Sequence, residues 1–149
     1  MIGLAEARYF MDFHHESVLL DEVIEVFAAS KPSLVVDCTL GGAGHSRALL
    51  EAIDGLHLIG IDRDPTAIQI ASERLAVFGD RVRIVEAPFS EVGSVLDDLG
   101  VCGVDGILAD FGVSSHQIDT PERGFSFRFD GPLDMRMNPT AGIPASELL

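Results

Sequence analysis

Three glycines in four residues, Gly41, Gly42 and Gly44, stand in the run DCTLGGAGHS at residues 37–46, between a β-branched stretch and a helical one. Glycines at such a join let the backbone turn tightly and come close to a ligand, while free N–H groups at the helix start face it. The spacing departs from the dinucleotide fingerprint G-x-G-x-x-G, since Ser46 stands where a glycine is needed, and from the P-loop, which requires Gly-Lys-Ser/Thr. A tight turn without a ligand is the competing reading. What strengthens the ligand reading is Asp62, which closes the apolar run LHLIGI about 20 residues further on, where a carboxylate can accept both ribose hydroxyls of an adenosine-type ligand.

Other residues frame the same crevice. Asp37 ends the strand before the glycines, where it can hold a ligand's ammonium group or brace the loop. Asp110 ends the run VDGILAD, at the strand end where open α/β sheets place ligand and catalytic groups. Asp64, before Pro65, reads as a helix cap. Phe89 can lie against an adenine face or fill the core, and His45 can cap the helix, approach a ligand or sit exposed in the turn. His14, His15 and His45 have no metal-ligand spacing, and no metal site is expected. In ERGFSFRFDGP, residues 122–132, Phe125, Phe127 and Phe129 alternate with polar residues. Such a face can stack on a base while Arg123 or Arg128 meets a phosphate, but an edge strand burying the three rings is the favoured reading.

The elements that must position these residues alternate in type. Leu20, Val23, Ile24 and Phe27 recur at helical spacing before Pro32, and a first strand is expected at Leu34–Leu40. A helix over Ser46–Ile53 leads to a second strand, Leu56–Ile61, and then to a helix capped by Asp64, with Ile68, Ala71, Leu75 and Phe78 on one face and Gly79 at its end. Val82–Glu86, a helix over Val92–Leu99 and Val104–Asp110 complete the pattern. Four strands separated by helices imply an α/β fold with a parallel sheet and right-handed crossovers. Residues 114–139 are polar and rich in Gly, Pro, Asp and Arg, a long connection of the kind that is functional or disordered. A helix is expected to begin at Ala145, so the chain reads as a fragment of a longer protein.

Composition sets the outer limits. The 149 residues make one domain, long enough to bury ~70% of its unfolded surface. Hydrophobic residues at 47% exclude a disordered acidic tail, and no run approaches the ~20 apolar residues of a membrane span. Cys38 and Cys102 define neither a disulfide framework nor a zinc site, which makes a reducing cytoplasm the default location. A net charge of −14 makes the chain alone a poor partner for phosphate backbones.

The motifs HHESVLLDEV, DCTLGGAGHS, GIDRDPTAI, DGILADFGVSS and ERGFSFRFDGPLDMRMNP follow one another in this order from His14 onward. Together they resemble the N-terminal part of the bacterial ribosomal small-subunit RNA cytosine-N(4) methyltransferases, the RsmH or MraW family. The resemblance implies a Rossmann-like class I methyltransferase fold truncated before its closing strands, with S-adenosyl-L-methionine as cofactor. It implies 16S ribosomal RNA in the small subunit as partner, with neither DNA nor a membrane involved. It places Ala43, Gly44 and His45 in the cofactor loop, Asp62 on the ribose, and Phe89, Asp110 and Gln117 around the adenine and methionine parts. Asp110 is also the candidate acceptor for the target amine, although the Asp/Asn-Pro-Pro-aromatic motif of many amino-methyltransferases is replaced by Asp110-Phe111-Gly112-Val113. The implied organisation is an extension over 1–13, a cofactor-binding core over 14–113 and a motif-rich segment over 114–149. Residues 1–10 fall outside the resemblance, and Met11 is the expected natural start. A small-molecule methyltransferase and a non-catalytic nucleotide-binding module are the alternatives. The fragment alone is expected to be inactive and marginally stable, with basic RNA-binding surface elsewhere in the full protein and an exposed sheet edge here.

Overall fold

The computed structural model describes residues 17–149. The extension over 1–13 and the pair His14–His15 lie outside the described residues. Four parallel strands form one sheet in the order β3-β2-β1-β4: β1 (Leu34–Asp37), β2 (His57–Asp62), β3 (Val82–Glu86) and β4 (Gly106–Leu108). Helices α1 (Leu20–Ser30), α2 (Gly44–Ala52), α3 (Pro65–Leu75) and α4 (Val92–Asp98) flank it, and a short helix α5 (Ser115–Asp119) follows.

Alternate residues of the inner strands serve two separate cores, as the pleat requires. Val35 and Leu58 face Leu49, Leu50, Ala71 and Leu75 of α2 and α3, with Val23, Ile24 and Phe27 of α1 packed on the same cluster. Val36, Ile59 and Ile61 point the other way, onto Val95 and its neighbours in α4. Burial on both faces explains why β1 and β2 read as continuous apolar runs. The turn back to a strand on the far side of β1 after α4 is what puts a crevice between the carboxyl ends of β1 and β4.

Several expected boundaries shift for identifiable reasons. β1 ends at Asp37, because Thr39–Leu40 already turn into the glycine loop, though the Cys38 N–H still donates to the Leu108 carbonyl at 2.9 Å. β4 is shorter than expected: it stops at Leu108, before Asp110, and at its start Asp105 forms a bend whose N–H donates to the Leu34 carbonyl at 2.9 Å while its carboxylate accepts the Ser33 and Leu34 N–H groups at 2.7 and 2.9 Å. α3 stops at Leu75 and continues as a 3-10 turn over Ala76–Arg81, inside which Gly79 breaks helical geometry at φ 58°. No strand forms over Phe125–Phe129; Phe127 is fully exposed and Phe129 half so, which overturns the edge-strand expectation. At the end of the chain Ala145–Glu147 is a 3-10 turn.

Candidate active site

The carboxyl ends of β1, β2 and β4 are tied together by hydrogen bonds around the glycine loop. Asp62, at the end of β2, accepts the Gly41 N–H through Oδ2 at 2.8 Å and the Asp64 N–H through Oδ1 at 2.9 Å. Each oxygen thereby keeps a lone pair, and the side chain is only partly buried. Gly41 takes a left-handed conformation, φ 49°, that favours glycine. Across the loop, the Arg74 guanidinium from α3 donates to the Gly42 carbonyl at 2.6 Å. The Thr39 hydroxyl accepts the Asp110 N–H at 2.7 Å and so holds the end of β4 against the start of the loop.

The loop runs into α2 without a side-chain cap, because Ala43 occupies the cap position in a left-handed conformation, φ 62°. That leaves the positive end of the helix dipole facing the crevice. Gly44 is the first helical residue, and a Cβ there would collide with the Ser17 hydroxyl, so its lack of a side chain is set by the chain entering α1. His45 is buried rather than exposed, its ring Nε2 2.9 Å from the Val18 carbonyl, which makes that nitrogen the donor. Asp37 resolves in favour of bracing: it is 2% exposed, accepting the Ser46 hydroxyl at 2.6 Å and the Thr39 N–H at 3.1 Å. Burial pushes its carboxyl above the usual range, against the lowering effect of those two bonds.

Asp110 is exposed beside the loop. Phe89 opens the turn after β3, 48% exposed, which removes it from the core. Its ring meets Phe111 edge-on with centroids 5.2 Å apart, so the aromatic wall stands next to Asp110. Gln117 is buried, and its amide points at Asp64: Nε2 donates to Oδ2 at 2.9 Å, while Oε1 accepts the Ser114 N–H at 3.0 Å.

Asp64 does cap α3, its Oδ1 accepting the Thr66 N–H at 3.0 Å, but its other oxygen has a second task that sequence reading missed. Oδ2 also takes Nη2 of Arg123 at 2.9 Å, in a pair with side chains 9% and 3% exposed. Burial alone would raise the Asp64 carboxyl; the bonds from Gln117, Arg123 and Thr66, with the charge of Arg123, outweigh it and hold the group below its ordinary value. Arg123 is therefore not poised for a phosphate. Thr39 and Arg74 also escape sequence reading, since neither stands in a pattern and each acts on a backbone group far away in sequence. The capping box Ser114-x-x-Gln117 that builds α5 is visible in the sequence and marks Gln117 as a helix residue.

Phe89, Phe111, Asp110, Thr39, the glycine loop, Asp62, Asp64 and Gln117 thus form one connected line along the carboxyl edge of the sheet. A cavity of about 300 Å³ lined by Leu34, His57, Arg81, Arg83 and Val101 lies at the amino ends of the strands, away from where a doubly wound sheet binds its ligand.

The sheet order, the crevice and the acidic end of β2 define a Rossmann-like fold of the class I methyltransferase type. Solved methyltransferases share it: the O-methyltransferase of Bacillus cereus in complex with SAH superposes with a TM-score of 0.58 over 66% of this chain and 46% of that one, at 14% identity. The O-methyltransferase TomG of Streptomyces achromogenes in complex with SAM gives 0.56 over 68% and 47%, at 17% identity. More particularly, the chain belongs to the MraW methylase family, whose model matches residues 12–149. It is 56% identical over 141 residues to the ribosomal RNA small subunit methyltransferase H of Geobacter sulfurreducens, and 50% identical over 141 residues to that of Heliobacterium modesticaldum. Each alignment covers 93% of this chain and 45% of the relative, so the chain spans a little under half the length of the curated relatives it matches. Among the described residues, no helix is long and apolar enough to cross a membrane.

Proposed function

We propose that this chain is the cofactor-binding part of an S-adenosyl-L-methionine-dependent methyltransferase that acts on the exocyclic N(4) amine of a cytosine in 16S ribosomal RNA, within the small subunit in the cytoplasm. The observation that carries the reading is Asp62, two free lone pairs beside the Gly41–His45 loop, in a chain sharing over half its residues with a ribosomal RNA small subunit methyltransferase. The residues fit the cofactor: Asp62 takes the ribose hydroxyls, the uncapped start of α2 at Ala43, Gly44 and His45 lines its path, and Phe89 offers an exposed ring for the adenine. Gln117 enters through Asp64, with its amide closing the same side. In this reading residues 1–13 are an extension, 14–113 the cofactor-binding core and 114–149 the start of the substrate side.

When bound, the cofactor supplies an electrophilic methyl group on sulfur. The chain's contribution is alignment, because the lone pair of a cytosine amine is delocalised into the ring and attack requires it to be redirected. Asp110, exposed just beyond the end of β4 and fixed through its own N–H to the Thr39 hydroxyl, is the candidate acceptor for a hydrogen of that amine. Turnover unchanged in a full-length Asp110→Ala enzyme rejects that role.

Calorimetric titration of this chain with S-adenosylmethionine and S-adenosylhomocysteine, with NADH as control, tests the cofactor. Binding of the first two is expected, lost in Asp62→Ala. A folded parent chain that binds neither, alone or at full length, rejects the assignment.

A further inference from the structure

Two buried bonds from the segment after β4 converge on a single atom of the core. Gln117 Nε2 and Arg123 Nη2 both donate to Asp64 Oδ2 at 2.9 Å. The remaining reach of Arg123 gathers the far end of the same segment, with Nη2 donating to the Met137 carbonyl at 2.6 Å and the Arg136 carbonyl at 3.2 Å. The segment closes tightly on this arginine: the Met135 N–H donates to the Arg123 carbonyl at 3.1 Å. Gly124 sits at φ 73° where a Cβ would strike the Pro132 carbonyl, and a Cβ on Gly131 would strike that of Pro121. Residues 114–137 are thus a folded unit with a buried cation at its centre, docked onto one carboxylate.

That carboxylate shares a turn with Asp62, whose Oδ1 accepts the Asp64 N–H at 2.9 Å. A buried ion pair adds little stability over an apolar contact of the same shape, so its presence speaks for orientation. We propose that Asp64 and Arg123 are positioning residues that couple the two halves of the site: docking of residues 114–137 through this pair holds Asp62 in its binding arrangement, and an adenosine ligand on Asp62 in turn holds the segment docked. This rests on the reading of Asp62 as the ribose acceptor. Coupling of this kind is reciprocal, so a variant that undocks the segment weakens the ligand by the factor by which the ligand favours docking.

The test uses the 149-residue chain with S-adenosylhomocysteine as probe, in the variants Asp64→Asn, Arg123→Lys and the two combined. The amide introduced by Asp64→Asn retains an oxygen for the Thr66 N–H, and Arg123→Lys leaves the core untouched should the first variant fold poorly. Each single change is expected to weaken binding about tenfold. The double variant is expected to bind no worse than the weaker single, since both act through one contact. Trypsin cleavage after the exposed Arg128 is expected to slow when the ligand binds the parent chain, and to lose that protection in the variants. Variants that are cut faster after Arg128 yet bind with parental affinity, or whose losses multiply in the double variant, overturn the coupling and leave a structural clasp. A folded parent chain that binds no ligand overturns the coupling, because the docked segment is then insufficient to hold Asp62 in a binding arrangement; absence of binding at full length as well overturns the cofactor assignment.

Discussion

Asp37 carries its carboxylate into the interior under the loop, with one hydroxyl and one backbone N–H as partners. Because burial raises its folded pKa above the ordinary 3.8, the folded state binds more protons than the unfolded one in the range just above that value. The sign follows: Asp37 costs nothing below its unfolded pKa, and its cost grows as pH rises toward and through the folded value. Asp37→Asn keeps an oxygen for the Thr39 N–H and offers an N–H to the Ser46 hydroxyl, which can rotate to accept. The variant is therefore expected to melt close to the parent near pH ~4 and above it near pH ~8. Melting curves at both values check this; a variant less stable at the higher pH would mean that the charge itself organises the loop. Asp64, nearby, has the opposite sign, since its partners hold its pKa down and its contribution is lost as pH falls.

At the level of elements, legibility tracks how local the determining forces are. α3 is readable because its signals are adjacent: Asp64 caps, Pro65 fits the first turn, and Ala71 and Leu75 are buried at helical spacing. β1 and β2 are readable because burial on both faces leaves little but apolar residues in them. β4 reads as longer than it is, since nothing in VDGILAD announces that the strand stops at Leu108 or that the Asp105 carboxylate will take the Ser33 and Leu34 N–H groups at the start of β1. The alternation at Phe125, Phe127 and Phe129 misleads because period two specifies a strand only where a ladder partner exists. Here Gly124 and Met135, at φ 73° and 59°, fold the chain back on itself instead. Of the candidate site residues, Asp62 stands at the end of β2 as its place in the sequence predicts, whereas Asp110 lies just beyond the end of β4. The Asp64–Arg123 pair is not legible in the sequence, because it joins elements whose proximity only the tertiary fold decides.

For the molecule as a whole, a net charge of −14 on 149 residues places many like charges within interaction range. Going from about 0.01 M to about 0.15 M salt shortens the Debye length from ~30 Å to ~8 Å and screens that self-repulsion. The melting temperature is expected to rise over this range in a thermal scan. A fall would mean that attractive pairs such as Arg47–Glu51 and Asp134–Arg136 dominate. The same field suits a cationic sulfonium ligand and disfavours a phosphate backbone. The central position of β1 has a consequence in time. Its two neighbours come from very different distances in sequence: β2 is the next strand, whereas the staple from Asp105 to Ser33 closes over 72 residues. At a synthesis rate of ~5–20 residues per second, β1 waits roughly 4–14 s on the ribosome with the N–H and C=O groups of one edge unpaired before its last partner is made. The nascent protein thus passes through a stage in which the strand that ends up central is still an edge, open to pairing with another chain.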